Sequence, residues 1–319
     1  MRHNYIAIIL FLIISLKGFG QNANYSSLYM FNQMYYNPGY AGDGNDIEFK
    51  GLIRNQWMGF PGAPNTQTFN IDAPFKLFHQ QHGAAISIII DEFGNFRNTG
   101  LNISYAYRRS LIQGDLGIGV GLSMLNHAID GEWIRNEGSV DPSIPEPGAT
   151  APLIFDLNLG LYYRSDNLFM SVSMMNAMSS HVKYINEGDA NNVSTNNSTF
   201  FGRQIFFSTG YDYQLANPLF AIQPGAFVAT DFASTQVTVS GIVTYSRKVF
   251  AGLSYKQTDA VTVLAGIDLP SGINVAVSYG LNTSRIIRSS TGSFEFMVGY
   301  SFNLDIDKDN RKFKSVRFL

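Results

Sequence analysis

The chain has 319 residues, no cysteine, and 22 basic against 24 acidic residues, which gives a formal net charge of −2. Disulfide scaffolds and thiolate chemistry are therefore excluded, and the charge balance gives no support for nucleic-acid binding. Charged residues make up 14% of the chain and aromatic residues another 14%, whereas soluble domains average about 25% charged residues.

Residues 1–20 have the pattern of a secretory signal peptide. Arg2 precedes the apolar run Tyr5–Leu16, and Gly18-Phe19-Gly20 supplies small residues before Gln21. The apolar run is about twelve residues long, shorter than the roughly 20 that a spanning helix needs. We expect cleavage before Gln21 and export of the remainder, with an uncleaved membrane anchor as the alternative. Export, low charge and many aromatic residues favour an outer-membrane β-barrel or a secreted β-sandwich.

Residues 21–45 form an aromatic segment without a regular period, which includes the sequence YMFNQMYYNPGYAGD from Tyr29 to Asp43. Asn37-Pro38-Gly39 is a turn signal inside it. Because the segment lies between the leader and the first strand, we expect it to start on the periplasmic side. Two roles are open: it plugs the barrel lumen, or it binds a periplasmic partner. We favour the plug.

Residues 46–303 are predicted to form a transmembrane antiparallel β-barrel of about fourteen strands, an all-β fold. In Ser293–Asn303, for example, Phe294, Phe296 and Val298 alternate with Glu295 and Met297. The predicted strands lie near 46–57, 64–75, 82–91, 97–109, 114–126, 152–164, 167–176, 201–213, 219–230, 235–246, 247–257, 260–269, 272–280 and 291–303.

The connections between these strands alternate in length. Short turns at one end face long, Asn-rich and Gly-rich loops at the other, at Gly131–Ala151 and Ala177–Phe200. This is typical of outer-membrane barrels, whose short turns lie in the periplasm, whereas a sandwich requires no such alternation. An even strand number places both termini in the periplasm, and the periplasmic tail 304–319 is either a docking segment or a disordered tail.

Residue parity predicts a polar lumen. Arg54 and Gln56 lie opposite the apolar face of their strand and should point inward. The alternating glycines of Gly117–Gly121 should clear space on the lumen face, where another segment comes close. Pro224 cannot donate to a ladder, so we expect a bulge or an interrupted strand there.

Candidate catalytic and metal-binding residues are few. Ser123, Asn126 and His127 lie close together in sequence, but a hydrolase needs serine and histidine within hydrogen-bond reach. His79 and His82 share a turn, and a metal site needs more ligands than these two. We expect no enzymatic activity, no metal and no cofactor.

Two sequence blocks carry a resemblance to a known family. The first block contains Tyr29, Met30, Phe31, Asn32, Asn37, Pro38, Tyr40, Ala41 and Gly42. The second block contains Arg54, Gln56, Trp57, Gly59, Phe60, Gly62, Ala63, Pro64, Thr66 and Gln67. Together with the ending Arg317-Phe318-Leu319, they resemble the PorP/SprF family of outer-membrane proteins of the type IX secretion system. Position 39 is glycine, where the family more often has alanine.

The resemblance implies an outer-membrane barrel that supports secretion or surface anchoring of a protein with a C-terminal sorting domain. We expect the barrel to be surrounded by outer-membrane lipid and to contact other components of the secretion system or of the periplasm. We do not expect it to bind nucleic acid. Cell-surface display and gliding motility are associated with the family, although export of a gliding adhesin is the role of one member. A porin or transporter for a small solute is the alternative function, since a barrel of this size is wide enough for a channel.

Overall fold

The computed structural model describes residues 25–129, 152–185 and 193–303. The predicted leader, the whole loop Gly131–Ala151 and the tail 304–319 lie outside this range. The described strands are β1 Ile47–Met58, β2 Asn65–Leu77, β3 Gln80–Phe93, β4 Phe96–Leu111, β5 Gly114–Ile129, β6 Ile154–Ser165, β7 Leu168–Met175, β8 His181–Ile185, β9 Val193–Phe200, β10 Gln204–Tyr211, β11 Tyr213–Gln214, β12 Phe220–Thr230, β13 Thr235–Tyr245, β14 Val249–Lys256, β15 Ala260–Asp268, β16 Ile273–Asn282 and β17 Gly292–Phe302.

Fourteen of these strands close into an antiparallel barrel, which confirms the predicted fold class. β1 pairs with β2 on one side and with β17 on the other, and β10 joins β7 to β12. β11 is a two-residue continuation of β10 that pairs only with β12. Because every barrel strand has two neighbours, the closed ring has no free edge.

The faces of the strands show that this is a membrane barrel. In β6, Phe155, Leu157 and Leu161 are 47–49% exposed on the outer face. Asp156 and Asn158 on the inner face are at most 3% exposed. A soluble sandwich buries its apolar face, whereas here the apolar face is outside and the polar face is inside, as lipid requires.

One end of the barrel, the turn side, carries tight two-residue connections such as Phe78-His79 and Ile112-Gln113. The opposite end, the loop side, carries the connections 130–153 and 176–203. The second of these contains the ribbon of β8 and β9, which pair only with each other. The long connection predicted at Ala177–Phe200 therefore contains a two-stranded ribbon that the sequence analysis did not anticipate.

Pro224 does not interrupt its own strand. β12 runs through it, and Pro224 lies opposite Gly241 of β13. The irregularity is on the other side, where β10 ends at Tyr211 and β11 begins at Tyr213. Pro224 has no backbone N–H to donate to the strand beside it. The ladder is therefore interrupted in that strand, between β10 and β11, and β12 itself is continuous.

The helical elements are single turns: the 3-10 turns Tyr29–Phe31, Pro38–Tyr40 and Arg285–Arg288, and the four-residue α-helix Gln33–Tyr36. Within the described part of the chain, no helix has the length and apolar character needed to cross a bilayer.

Candidate functional site: a segment threaded through the lumen

Residues Tyr25–Asp43, the luminal segment, lie inside the barrel between β1 and its opposite wall. Tyr29 and Asn37 are completely buried, and Tyr36 is 3% exposed. The segment folds as three consecutive single turns because Asn37 accepts a bond from the Gly39 amide at 2.7 Å and Pro38 follows at the first position of a turn. Its contacts with the wall, rather than regular secondary structure, hold it in place.

The first anchor of the luminal segment is a buried carboxylate. Glu295 of β17 accepts bonds from the Ser26 hydroxyl at 2.6 Å and from the Ser27 amide at 2.9 Å. The Arg54 guanidinium of β1 lies 3.1 Å from the same carboxylate, and both side chains are at most 4% exposed. Because a buried charge requires a partner and further hydrogen bonds, the segment completes the environment of this ion pair.

A lysine holds the beginning of the segment. Lys256, the last residue of β14, donates to the Tyr25 carbonyl oxygen at 2.9 Å. Its ammonium also lies 3.4 Å from Asp259 in the adjoining loop-side connection. Tyr25 is therefore attached close to the loop-side end of the barrel wall.

Aromatic and aliphatic packing holds the middle of the segment. Leu28 is buried with Leu264 and Met297, and Phe31 stacks on Phe250 at 4.6 Å between ring centroids. On the other side, Tyr25, Tyr29 and Tyr36 surround Phe206 and Phe227. Offset and edge-to-face rings of this kind contribute about 0.5–1.5 kcal/mol each beyond their buried area.

The hydroxyl of Tyr29 has a polar partner inside this aromatic cluster, the Ser240 hydroxyl at 2.9 Å. The phenol acts here as a neutral hydrogen-bonding group.

Polar side chains on two opposite walls hold the helical turn. Asn70 of β2 donates to the Asn32 side-chain oxygen at 2.8 Å, and Ser208 of β10 donates to the Gln33 side-chain oxygen at 2.8 Å. Ser173 of β7 donates to the Tyr36 carbonyl oxygen at 2.5 Å. The segment therefore bridges the whole width of the lumen.

The second half of the segment lies directly on a wall of glycines. The side-chain amide of Asn37 donates to the Leu161 carbonyl oxygen at 2.8 Å and to the Ser171 hydroxyl at 2.7 Å. A Cβ atom added at Gly119 or Gly160 would overlap the backbone of Gly39 and Pro38 or the side chain of Asn37. Glycine at these strand positions lets two backbones come into contact.

An arginine cluster holds the end of the segment. Arg108 of β4 donates to Asp43 at 2.5 Å and lies 3.3 Å from the Tyr40 carbonyl oxygen. Arg164 of β6 lies 2.9 Å from the other oxygen of Asp43, and the Gly42 amide donates to Asp72 at 2.6 Å. Arg108 and Arg164 are close to the turn-side ends of their strands, so the segment leaves the lumen there and enters β1.

The segment therefore runs from the loop side to the turn side. This differs from the expectation that it starts on the periplasmic side with the short turns, because Tyr25 lies beside Lys256 at the opposite end of the wall. No local pattern indicates this direction, since Tyr25 and Lys256 are far apart along the chain. Alternation of residues in the strands does place Glu295 and Lys256 on the lumen face, where buried charges often mark functional sites.

Residues of the second sequence block have a different environment. Arg54 joins the luminal segment through Glu295, while Gln56 is buried on the same inner face and Thr66 donates to Asp91 at 2.5 Å. Most of the others form the loop-side connection of β1 and β2, closed by bonds from the Phe60 amide to the Trp57 carbonyl oxygen and from the Ala63 amide to the Phe60 carbonyl oxygen. That connection contains Gly59, Phe60, Gly62, Ala63 and Pro64, while Trp57 lies one residue before the end of β1 and Gln67 follows in β2.

The candidate hydrolase residues are not assembled. The Ser123 hydroxyl donates to the Asp156 carbonyl oxygen at 3.2 Å, and the His127 ring lies 2.5 Å from the side-chain oxygen of Asn98. Four residues along a strand separate Ser123 from His127 by about 13 Å. Over the described ranges, there is also no group of three or more His, Asp or Glu residues that could hold a metal ion.

Comparison with known proteins identifies one protein family that matches most of the chain. The family model for the type IX secretion system membrane protein PorP/SprF matches residues 18–300. No curated protein sequence matches the chain.

Solved outer-membrane barrels resemble it distantly. The Ralstonia pickettii toluene transporter TbuX is 12% identical with a TM-score of 0.48, over 91% of this chain and 100% of that chain. The Acinetobacter baumannii outer membrane protein Omp33 is 8% identical with a TM-score of 0.44, over 82% and 100% of the two chains.

Proposed function

Because the chain belongs to the PorP/SprF family of type IX secretion system membrane proteins, we propose that it supports secretion or surface anchoring of a partner protein with a C-terminal sorting domain. In this proposal the protein is a non-enzymatic outer-membrane barrel. Its turn side faces the periplasm, where other components of the secretion system approach, and its loop side faces the exterior.

The observation that carries this proposal is the filled lumen. The luminal segment contacts the glycine wall of β5 and β6 on one side and the apolar cluster of Phe250, Leu264 and Met297 on the other. A polypeptide cannot pass through a barrel occupied in this way. The partner protein is therefore expected to bind the loops and the rim, a common arrangement for recognition on a rigid scaffold.

The same observation favours an accessory or anchoring role over a small-solute porin. A porin keeps a water-filled channel, whereas here buried rings and carboxylates occupy the middle of the barrel. In planar bilayers, the intact protein is expected to show little conductance. Deletion of residues 25–37 should increase conductance while the barrel still folds, as judged by heat-modifiable migration.

Purification of the intact barrel from native membranes, followed by mass spectrometry of bound proteins, tests the proposal directly. We expect a large protein with a C-terminal sorting domain to co-purify and to disappear from the cell surface when the barrel gene is deleted. Recovery of no such protein, together with high conductance of the intact barrel, would instead establish the porin function.

A further inference from the structure

A polar cleft lies between two neighbouring hairpins on the turn side. The hairpins are β2–β3 and β4–β5, which are adjacent because β3 pairs with β4. The cleft has a volume of about 220 Å³, and its lining includes Lys76, His79, Gln81, Arg108, Arg109 and Ser110. Because a single water molecule needs only about 10–15 Å³ of such space, the cleft can hold a polar side chain of a second molecule.

The lining of this cleft is basic. Within the part of the chain that the structure describes, Lys76 and Arg109 are exposed and form no ion pair. Arg108, by contrast, is 2% exposed and is already paired inside the lumen. Ser110 donates to Asp115 at 2.7 Å, but no carboxylate of the described residues lines the cleft itself. Two positive charges are therefore left without a partner.

The strand register places three polar side chains of the cleft side by side. Lys76, Gln81 and Arg108 lie opposite one another on β2, β3 and β4. They are on the lumen face, since Lys76 is four residues from the buried Asp72 on the same strand. Neighbouring strands are about 4.8 Å apart, so the backbones of Lys76 and Arg108 are about 10 Å apart with Gln81 between them. An oxyanion above Gln81 is thus within reach of the Lys76 ammonium and in the positive potential of Arg108.

Two apolar side chains project beside the cleft. Phe78 and Ile112, at the tips of the two hairpins, are 85% and 90% exposed. Both have left-handed φ angles, 50° and 60°, at positions where glycine or asparagine is the usual residue of a hairpin tip. The requirements of the turns therefore do not account for these two residues. Neighbouring exposed apolar side chains of this kind mark an interaction surface.

We propose that the cleft and the two apolar tips form a docking site for a polypeptide segment of another protein, one that presents a carboxylate between apolar side chains. The carboxylate enters the cleft beside Lys76 and Arg109, and the apolar side chains cover Phe78 and Ile112. In the orientation given under the proposed function, this partner approaches from the periplasm. The site itself rests only on the described residues and not on any secreted cargo.

The position of the cleft favours this occupant over a membrane lipid or a free anion. The lipid-facing side of the same hairpins carries Leu77 and Leu111, which are 45% and 46% exposed. A phospholipid head group would approach from that side, whereas Lys76 and Gln81 are on the lumen face. A free anion would fill the cleft and leave both tips uncovered. A polypeptide segment with acidic and apolar residues uses the whole surface.

Binding of a synthetic peptide to the intact barrel in a neutral detergent tests the proposal. The peptide is short, fluorescein-labelled and built of alternating leucine and aspartate, and its affinity is measured by fluorescence anisotropy. One control peptide has asparagine in place of aspartate, and another has alanine in place of leucine. We expect the first peptide to bind several-fold more tightly than either control, and more weakly as salt screens the charges. Absence of binding at low salt would overturn the proposal.

A pair of charge variants tests the cleft itself. Lys76→Gln/Arg109→Gln is compared with Arg247→Gln/Lys248→Gln, which removes the same charge from the exposed turn-side connection of β13 and β14. Two partly exposed ion pairs together correspond to a change of about ten-fold in affinity. The first variant should therefore bind the peptide about ten-fold more weakly than the natural chain, and the second should bind it as the natural chain does. Equal weakening in both would reject a specific site, because general attraction to a basic surface would explain it.

A second pair of variants tests the apolar tips. Phe78→Asn is compared with Phe232→Asn on the loop side, where Phe232 is 73% exposed and also has a left-handed φ, 67°. Asparagine tolerates this conformation, and heat-modifiable migration verifies that each barrel is folded. We expect Phe78→Asn to weaken peptide binding several-fold and Phe232→Asn to leave it unchanged. If Phe78→Asn had no effect and inorganic phosphate displaced the peptide, the cleft would be a small-anion site and the docking proposal would be wrong. Since no cargo takes part in these measurements, their failure is distinguishable from failure of the proposed function.

Discussion

The two halves of the luminal segment are held by different physical means. Residues Tyr25–Tyr36 present side chains to the wall, and rings of Tyr29, Tyr36 and Phe31 fill apolar clusters. Residues Asn37–Asp43 instead bring their backbone into contact with wall glycines, and the polar side chains of Asn37 and Asp43 fix the two ends of this half. A side-chain cluster tolerates substitutions that preserve volume, whereas contact between two backbones does not.

The largest effect is expected where a side chain is added to the glycine wall. Gly119→Val would place its side chain in the space now occupied by Pro38 and Gly39. Overpacking of this kind typically costs about 1–3 kcal/mol, and here the neighbour is backbone that cannot change rotamer. We expect the second half of the segment to leave its site and bilayer conductance to rise at least several-fold.

Gly241→Val is the matched control for this change. Gly241 lies on the outer face of β13, and no atom lies within 4 Å of an added Cβ. Valine is also favoured in strands, so conductance and stability should remain at the natural level. Equal behaviour of Gly119→Val and Gly241→Val would show that the glycine wall does not seat the segment.

At the arginine cluster, a smaller rise in conductance is expected, although the cost in stability is at least as large. Asp43→Asn removes the charge that pairs with Arg108 and Arg164, and the Arg108 side chain is 2% exposed. Breaking a buried ion pair leaves the other charge uncompensated and costs about 3–5 kcal/mol, less where one partner remains solvated, as Arg164 does. The midpoint of urea unfolding in detergent should fall, and spontaneous openings should become more frequent in bilayers.

Glu92→Gln provides the comparison, since Glu92 pairs with Arg97 and both side chains are 52% exposed. Exposed pairs contribute about 0–1 kcal/mol. If Glu92→Gln lowered the unfolding midpoint as much as Asp43→Asn, burial of the cluster would not be the reason for its effect.

An intermediate effect is expected at Asn37, the residue where the two halves meet. Asn37→Ala removes bonds to Leu161 and Ser171 and the cap on the Gly39 amide. Acceptors and a donor would be left without partners in a buried site, at about 1–3 kcal/mol. Hydrogen exchange of the Gly39 and Tyr40 backbone amides should accelerate by one to two orders of magnitude, while the Leu28 amide should stay protected. Uniform acceleration along the luminal segment would contradict separate anchoring of its two halves.

The strands and their faces were predictable because their signal is local. The alternation of Phe294 and Phe296 with Glu295 and Met297 assigns lipid-facing and lumen-facing sides without any knowledge of neighbours. The glycines of β5 were also interpretable, because alternating glycine on an inner face indicates close approach of another chain. The favoured plug role of residues 21–45 suggested which segment approaches these glycines, but the pattern did not single out Gly39 as the contact.

Other features depend on information that is not local. Phe78, His79 and Ile112 adopt left-handed φ angles of 50–62° in two-residue turns, where glycine or asparagine would be the usual signal. The ribbon of β8 and β9 was missed because the Asn-rich sequence around it resembles a loop. The direction of the luminal segment depends on the pairing of Tyr25 with Lys256, which no spacing rule predicts.

The smallest effect is expected within the side-chain half of the segment. Tyr29→Phe keeps the ring beside Phe227 and removes the hydroxyl that bonds to Ser240, so the free energy of unfolding should fall by about 0.5–1.5 kcal/mol. Conductance should not change, because the ring still fills its site. A double-mutant cycle with Ser240→Ala measures the coupling between the two hydroxyls, and a coupling near zero would contradict the bond. Because the loss would stay within the aromatic cluster, the Gly39 amide should remain as protected as in the natural chain, in contrast to its behaviour in Asn37→Ala.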